Sequence, residues 1–451
     1  MSAVGRLLDR ADWSHVHLRI TAALGVAWIL DGFETTVTGP VLANVAHELH
    51  FSGSTAAWVN PIYTVGMLAG ALTFGPLADR LGRRRLFMLT LAIYCIATVL
   101  TGFAWSFASL AAFRFLTGIG IGGEYGAINS AIEEFIPPRY RGRVDGTINA
   151  SWNVGAVVAS GAAYLALGAL PTDAWRAVFW FGAIVAVGVL FVRSSVPESP
   201  RWLAARGRDD EARAIVARLF GARPEALPPE PDAAEPAPQR TYLQQVARLW
   251  SETPARLIFS FALNLAQVMP YYGIIAIGGI AIFPAVGIPR SGIPLLYLAS
   301  AGTGFCAQLV MSWLTDWWGR RPTMLAVFTG AAVCCGLLNA THTPAWFVAV
   351  FLIFGMFSAS AGAGAYVVVS EIFPTDVRSS AIGLSVAVGR VGAIVAPVAF
   401  FALNARYGVG AVFFAMTAIF AGGALAMLWW YRFGVEGRGR SLEQMLESGV
   451  R

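Results

Sequence analysis

Twelve stretches of the chain are dominated by apolar residues over lengths that suit a membrane-crossing helix: near residues 18–43, 56–78, 86–104, 106–133, 144–168, 176–195, 254–284, 293–315, 323–340, 344–370, 381–403 and 409–431. A hydrocarbon core about 30 Å thick takes roughly 20 helical residues to cross. Arginine sorts between the stretches by parity. Arg80, Arg83, Arg84 and Arg85 follow the second, Arg139, Arg141 and Arg143 the fourth, Arg320 and Arg321 the eighth, and Arg378 the tenth, whereas the opposite side carries only Arg176, Arg290 and Arg406. The excess of positive charge on one side predicts that both termini and the central connector are cytoplasmic.

Composition agrees with lipid as the solvent. Of the 451 residues, 57% are hydrophobic and 13% charged, which is too little charge for a soluble surface of that size. The net charge of +6 is no nucleic-acid footprint, because the basic residues sit at the ends of apolar runs and not along one face. All of them are arginine. Cys95, Cys306, Cys334 and Cys335 fall inside apolar runs without metal-ligand spacing and read as small packing residues. The segment holding Arg6, Asp9, Arg10, Asp12 and Arg19 lacks a signal-peptide core and is expected to stay attached.

The chain is also duplicated. Gly75-Pro76-Leu77-Ala78-Asp79-Arg80-Leu81-Gly82-Arg83-Arg84 returns as Ser312-Trp313-Leu314-Thr315-Asp316-Trp317-Trp318-Gly319-Arg320-Arg321, an offset of 237 residues. The same offset aligns Gly118 with Gly355, Glu134 with Glu371, Arg141 with Arg378, Gly146 with Gly383 and Gly155 with Gly392. The expected fold is therefore all-α and integral to the membrane, with twelve transmembrane helices in two pseudo-symmetric six-helix bundles, residues 1–196 and 253–451. Residues 197–252 form a cytoplasmic connector. In it Ala212, Ile215, Val216 and Leu219 give one amphipathic helix over Asp209–Phe220, and Leu243, Val246, Ala247 and Trp250 give a second over Thr241–Trp250. Ala222–Gln239, rich in proline, alanine and glutamate, reads as a flexible linker.

The repeated cassette resembles the signature loop of the major facilitator superfamily, which lies between the second and third helices of each half. The resemblance implies a transporter with a cytoplasmic gate of charged residues: Gly75, Asp79, Arg83, Arg84, Glu134, Arg141, Glu198 and Arg201 in one half, and Asp316, Arg320, Arg321, Glu371 and Arg378 in the other. Arg83 and Arg84 are expected to pair with Glu134 and Glu198. Surface ion pairs are individually weak, which suits a lock that opens in every cycle.

Ionisable groups inside a span are costly and need a partner or a wet cavity. Asp31 and Glu34 stand three apart in the first run, on one helical face; Arg114 and Glu124 lie in the fourth and Arg390 in the eleventh. Gly32-Phe33-Glu34-Thr35 is similar to the Gly-Tyr-Asp-Thr segment of sugar porters, and Arg114 matches their fourth-helix arginine. That resemblance implies Glu34 as proton acceptor and Arg114 as its counter-charge, with Asp31 and Glu124 grouped beside them. A fixed ion pair that never titrates is the competing reading. The stretch Asp31 to Gly39, with Gly389-Arg390-Val391-Gly392, resembles aromatic-acid:proton symporters, in which Arg390 would clamp a substrate carboxylate through two parallel hydrogen bonds. The alternative for Arg390 is a side chain snorkelling to the cytoplasmic interface.

Span seven adds Asn264, Gln267, Tyr271 and Tyr272, where Gln-x-x-x-Tyr-Tyr resembles the sugar-porter Asn-x-x-x-Tyr-Tyr. Pro270 and Pro284 are expected to kink or break that span. Further cavity candidates are Asn129, Asn149, Trp152, Asn153, Gln308 and Tyr366, each of which also suits an interhelical hydrogen bond. Gly118-x-Gly120-x-x-Gly123 fits a nucleotide-loop formula, but no strand precedes it, so close helix packing is expected instead.

The reading is a non-enzymatic secondary transporter without cofactor, metal or nucleic acid. It is expected to act as a monomer in a bacterial cytoplasmic membrane and to take up a small organic acid with protons by alternating access. A sugar/proton symporter or sugar facilitator is the alternative. A transporter-like sensor is a remoter one, since such proteins carry long cytoplasmic extensions and only about nineteen residues follow Arg432.

Overall fold

The computed structural model describes residues 12–170, 173–194, 197–204, 206–220, 242–340, 343–373 and 377–433. Among them there is no strand, and twelve helices of at least 20 residues follow one another. They are α1 (His15–Glu48), α2 (Val59–Leu81), α3 (Arg83–Gly102), α4 (Phe107–Phe135), α5 (Pro138–Ala169), α6 (Ala174–Ser194), α7 (Pro254–Ile277), α8 (Ile293–Trp318), α9 (Arg320–Asn339), α10 (Pro344–Ile372), α11 (Arg378–Tyr407) and α12 (Val409–Phe433). Ten of these contain stretches long and apolar enough to cross a membrane. The other two are α2 and α4, and α4 carries Arg114 and Glu124 in its interior. The protein is an all-α membrane protein. Short helices occupy Pro200–Ala204, Asp209–Phe220 and Tyr242–Glu252 of the connector; the linker expected at Ala222–Gln239 lies outside the described residues.

The duplication holds in three dimensions well beyond the positions that display it in sequence. An offset of 237 carries α3 end for end onto α9, and α4 end for end onto α10. Gly82 and Gly319, which open α3 and α9, both have positive φ, 92° and 104°, a conformation that glycine adopts at little cost. Ser106 and Thr343 cap α4 and α10 in the same way, each hydroxyl accepting the backbone N–H three residues on, from Ser109 at 3.2 Å and from Trp346 at 3.3 Å. Even the left-handed residues after the first helix of each half, His50 and Gly287, correspond.

By internal contacts the described chain forms two compact units. The first draws on Met1–Thr35, Ile62–Gly155 and Arg176–Gln239. Its core includes Leu86, Phe87, Phe135, Val144 and Ile148, against which Ala212, Val216 and Ala217 of the connector helix are fully buried. The second draws on Thr36–Pro61, Ala156–Trp175 and Arg240–Arg451, around an aromatic core of Phe283, Phe328, Phe347, Phe351, Phe354 and Phe420. The Tyr242–Glu252 helix buries Leu249 in that core.

Of the kink or break expected at Pro270, the break is absent, since α7 continues through it. Proline there removes one backbone donor, a loss that membrane helices absorb through neighbouring groups. The irregularity comes later, as a π-turn over Gly278–Ile282 that leads into Phe283–Ala285, with Pro284 inside this last short turn. The Tyr297 hydroxyl donates to the Ile274 and Ile275 carbonyls at 3.0 and 3.2 Å, just before the change of helical register.

Candidate functional site

In the first unit, Glu34 of α1 and Arg114 of α4 meet as an ion pair at 0% exposure of both side chains. Arg114 Nη1 donates to Glu34 Oε2, and its Nη2 donates to the Glu34 backbone carbonyl at 2.9 Å. The second carboxylate oxygen, Oε1, accepts from the Tyr94 hydroxyl at 3.1 Å and the Thr98 hydroxyl at 3.3 Å, both on α3. The guanidinium lies over the Tyr63 ring, 4.5 Å from its centroid, with the Phe179 ring at 5.6 Å. Aromatic faces attract a desolvated cation. A charged pair away from water is tolerable only where its hydrogen bonds are met, and here two helices, α3 and α4, supply three donors to one carboxylate.

Asp31, one turn earlier on α1, is also buried, and its Oδ2 accepts the Trp152 indole N–H at 2.7 Å. The contact depends on Gly32, because a Cβ there would overlap the Trp152 carbonyl; α1 and α5 therefore cross with their backbones touching. Asn153 is buried and Asn149 half-buried on the same helix. Glu124 is buried as well, but it lies ten residues beyond Arg114, about 15 Å along α4. The Asn129 side chain lies outside the described residues.

In the second unit, Arg390 is twelve residues into the 30-residue α11 and half-buried. Its Nη1 donates to the Tyr272 hydroxyl of α7 at 2.6 Å, and its guanidinium carbon is 5.8 Å from that ring's centroid. The side chain is thus turned toward α7, not extended along α11 to the interface. Tyr271 meets Tyr272 edge to face at 5.7 Å. Asn264 and Gln267 are buried two turns and one turn before the tyrosines on α7, and Asn264 Nδ2 donates to the Ser260 carbonyl at 3.0 Å. Gln308 is buried in α8 and Tyr366 half-buried in α10.

The repeat relates the two arrangements. Arg390 corresponds to Asn153 and Tyr272 to Thr35; in the first half the polar contact of the first helix with the fifth is that of Asp31 with Trp152, one turn earlier on α1. Glu34 and Arg114 correspond to Tyr271 and Phe351, so their buried ion pair has no counterpart in the second half.

Of the expected gate, the side-chain positions of Gly75, Asp79, Arg83, Glu134, Arg141, Arg201, Asp316, Glu371 and Arg378 lie outside the described residues. Glu198 accepts the backbone N–H of Arg84 at 3.3 Å, at the start of α3, where the helix dipole favours an anion. Arg84 and Glu198 thus meet through the Arg84 main chain. Arg320 Nη1 donates to the Thr315 carbonyl at 3.4 Å and Arg321 Nη1 to the Tyr431 carbonyl at 3.1 Å. Tyr63, Tyr94 and Thr98 were not singled out by sequence; their one signal was polarity inside an apolar run.

A family model described as "Sugar (and other) transporter" matches residues 19–448. The niacin transporter of Acinetobacter baylyi is 27% identical over 95% of this chain and 96% of its own length. The cis,cis-muconate transport protein of the same organism is 25% identical over 86% of this chain and 88% of its own. Among solved structures, a D-xylose-proton symporter superposes with a TM-score of 0.74 at 19% identity, over 94% of this chain and 99% of that one.

Proposed function

The chain belongs to the Sugar (and other) transporter family of the major facilitator superfamily, and from that membership we propose that it carries a small planar organic acid into the cell together with protons. The observation that carries this reading is the buried Glu34–Arg114 pair, an ionisable acid inside the membrane-embedded bundle with its counter-charge in contact. For the acid, Arg390 supplies a guanidinium at mid-span depth, a group whose geometry matches a carboxylate. Two relatives named for carboxylic acids, niacin and cis,cis-muconate, support the same class. Asn264, Gln267, Tyr271 and Tyr272 would orient the remainder of the substrate from α7, the helix that also holds the Tyr272 partner of Arg390.

In the state described, Glu34 has no exposed surface, so it gains or loses a proton only when another conformation opens a path to it. Protonation removes the charge on the carboxylate and weakens its bond to Arg114 Nη1. The Nη2 bond to the Glu34 carbonyl does not depend on that charge and keeps the arginine in place. Proton loading therefore alters the local field without dismantling the site. The transporting unit is a monomer in the bacterial cytoplasmic membrane, with both termini and the connector inside; the two sequence repeats, 1–196 and 253–451, are the bodies that rock.

The test is transport in proteoliposomes with niacin, cis,cis-muconate and xylose as probes. Glu34→Gln abolishes accumulation driven by a proton gradient and leaves substrate counterflow measurable. Accumulation that survives the substitution removes the proton assignment. Saturable uptake of xylose and of neither acid establishes the sugar reading.

A further inference from the structure

Two hydroxyls on α3 reach the Glu34 carboxylate, at 3.1 Å from Tyr94 and 3.3 Å from Thr98. They stand four residues apart on one helical face, both at 0% exposure, and both meet Oε1 while Arg114 takes Oε2. Packing alone would place any well-shaped side chain at those positions. The repeat argues for more: their counterparts in the second half are Ala331 and Cys335, equally buried in α9, where the counterpart of Glu34 is the neutral Tyr271. The hydroxyls accompany the acid.

We propose that Tyr94 and Thr98 are positioning residues of the proton site, holding Glu34 as an ionised acceptor and thereby setting how acidic the medium must become before it is loaded. This rests on the assignment of Glu34 as the coupling acid. The titratable and charged groups around Glu34 are Asp31 on its own helix, Tyr63 from α2, Tyr94 and Cys95 from α3, and Arg114 with the more distant Glu124 from α4. Helix α6 offers the Phe179 ring, and the α5 indole of Trp152 goes to Asp31. Of these, Tyr94, Thr98 and Arg114 donate hydrogen bonds to the carboxylate. Donors to the charged form favour it, so removing one shifts loading toward higher pH.

The experiment is an infrared pH titration of the full-length protein in proteoliposomes, which needs no substrate. The protonated-carboxyl band absent from Glu34→Gln reports Glu34. In Tyr94→Phe the midpoint of that band moves to higher pH by about one unit, a tenfold change in proton concentration; in Thr98→Val it moves the same way by less, and Thr98→Ser restores it. Thr98→Val carries the test by itself where Tyr94→Phe does not fold. A midpoint unmoved in both variants, or moved to lower pH, overturns the inference. If no band is lost in Glu34→Gln at any pH, Glu34 does not titrate and the coupling assignment fails first. If the band is lost but Tyr94→Phe and Thr98→Val leave its midpoint in place, only the role of the hydroxyls fails.

Discussion

A guanidinium twelve residues into a membrane helix has to be stabilised by something other than bulk water, and for Arg390 the Tyr272 hydroxyl at 2.6 Å contributes. If the same guanidinium holds a substrate carboxylate, lysine is a poor replacement, since it keeps the charge but loses the planar fork. Arg390→Lys is therefore expected to weaken binding of niacin by about ten- to a hundredfold, roughly 1.4–3 kcal/mol, and to leave nicotinamide, its neutral amide, within about twofold. Calorimetric titration of both ligands checks this, and equal losses would make Arg390 structural. At this scale the charged residues were legible, because a charge inside an apolar run stands out. The pairing of Glu34 with Arg114 followed from family resemblance. Tyr94 and Thr98 were not legible: hydroxyls are common in spans, and which of them meets an acid depends on how α3 is rotated against α1, which linear spacing does not encode.

At the scale of helices, the number of spans was readable from the apolar runs, and several ends follow from local chemistry such as the Ser106 and Thr343 caps. What could not be read was where α7 changes its winding. Pro270 and Pro284 drew attention, while the π-turn lies between them, beside the carbonyls that the Tyr297 hydroxyl bonds from α8. Glycine packing was foreseen as a class, but its energetics differ between equivalent sites. A Cβ on Gly118 of α4 would overlap the Tyr63 carbonyl of α2, whereas on Gly355 of α10 it would meet the Ser300 hydroxyl of α8 at 2.5 Å. A backbone carbonyl cannot move without shifting its helix; a serine side chain turns about one bond. Gly118→Ala is thus expected to cost about 1–3 kcal/mol and Gly355→Ala less than about 1 kcal/mol. Thermal unfolding of the two purified variants in one detergent provides the comparison, and equal shifts would contradict this account.

For the whole molecule, the matched ends of α3 with α9 and α4 with α10 mean that one six-helix design was used twice. An even number of spans returns the chain to its starting side, so each copy begins and ends on the same face of the membrane. The copies then diverged in chemistry: Glu34 and Arg114 face the counterparts Tyr271 and Phe351, and Asn153 the counterpart Arg390. The proposed proton site thus lies in one copy and the proposed anion site in the other. Sidedness can be tested without knowing the substrate. The arginine distribution predicts Asp210 of the connector in the cytoplasm and Arg290, before α8, outside. Both residues are exposed. In a cysteine-depleted background, Arg290→Cys should react with a membrane-impermeant maleimide in intact cells, and Asp210→Cys only after permeabilisation. The reverse pattern would invert the topology; labelling of both in intact cells would be incompatible with α7 crossing the membrane between them.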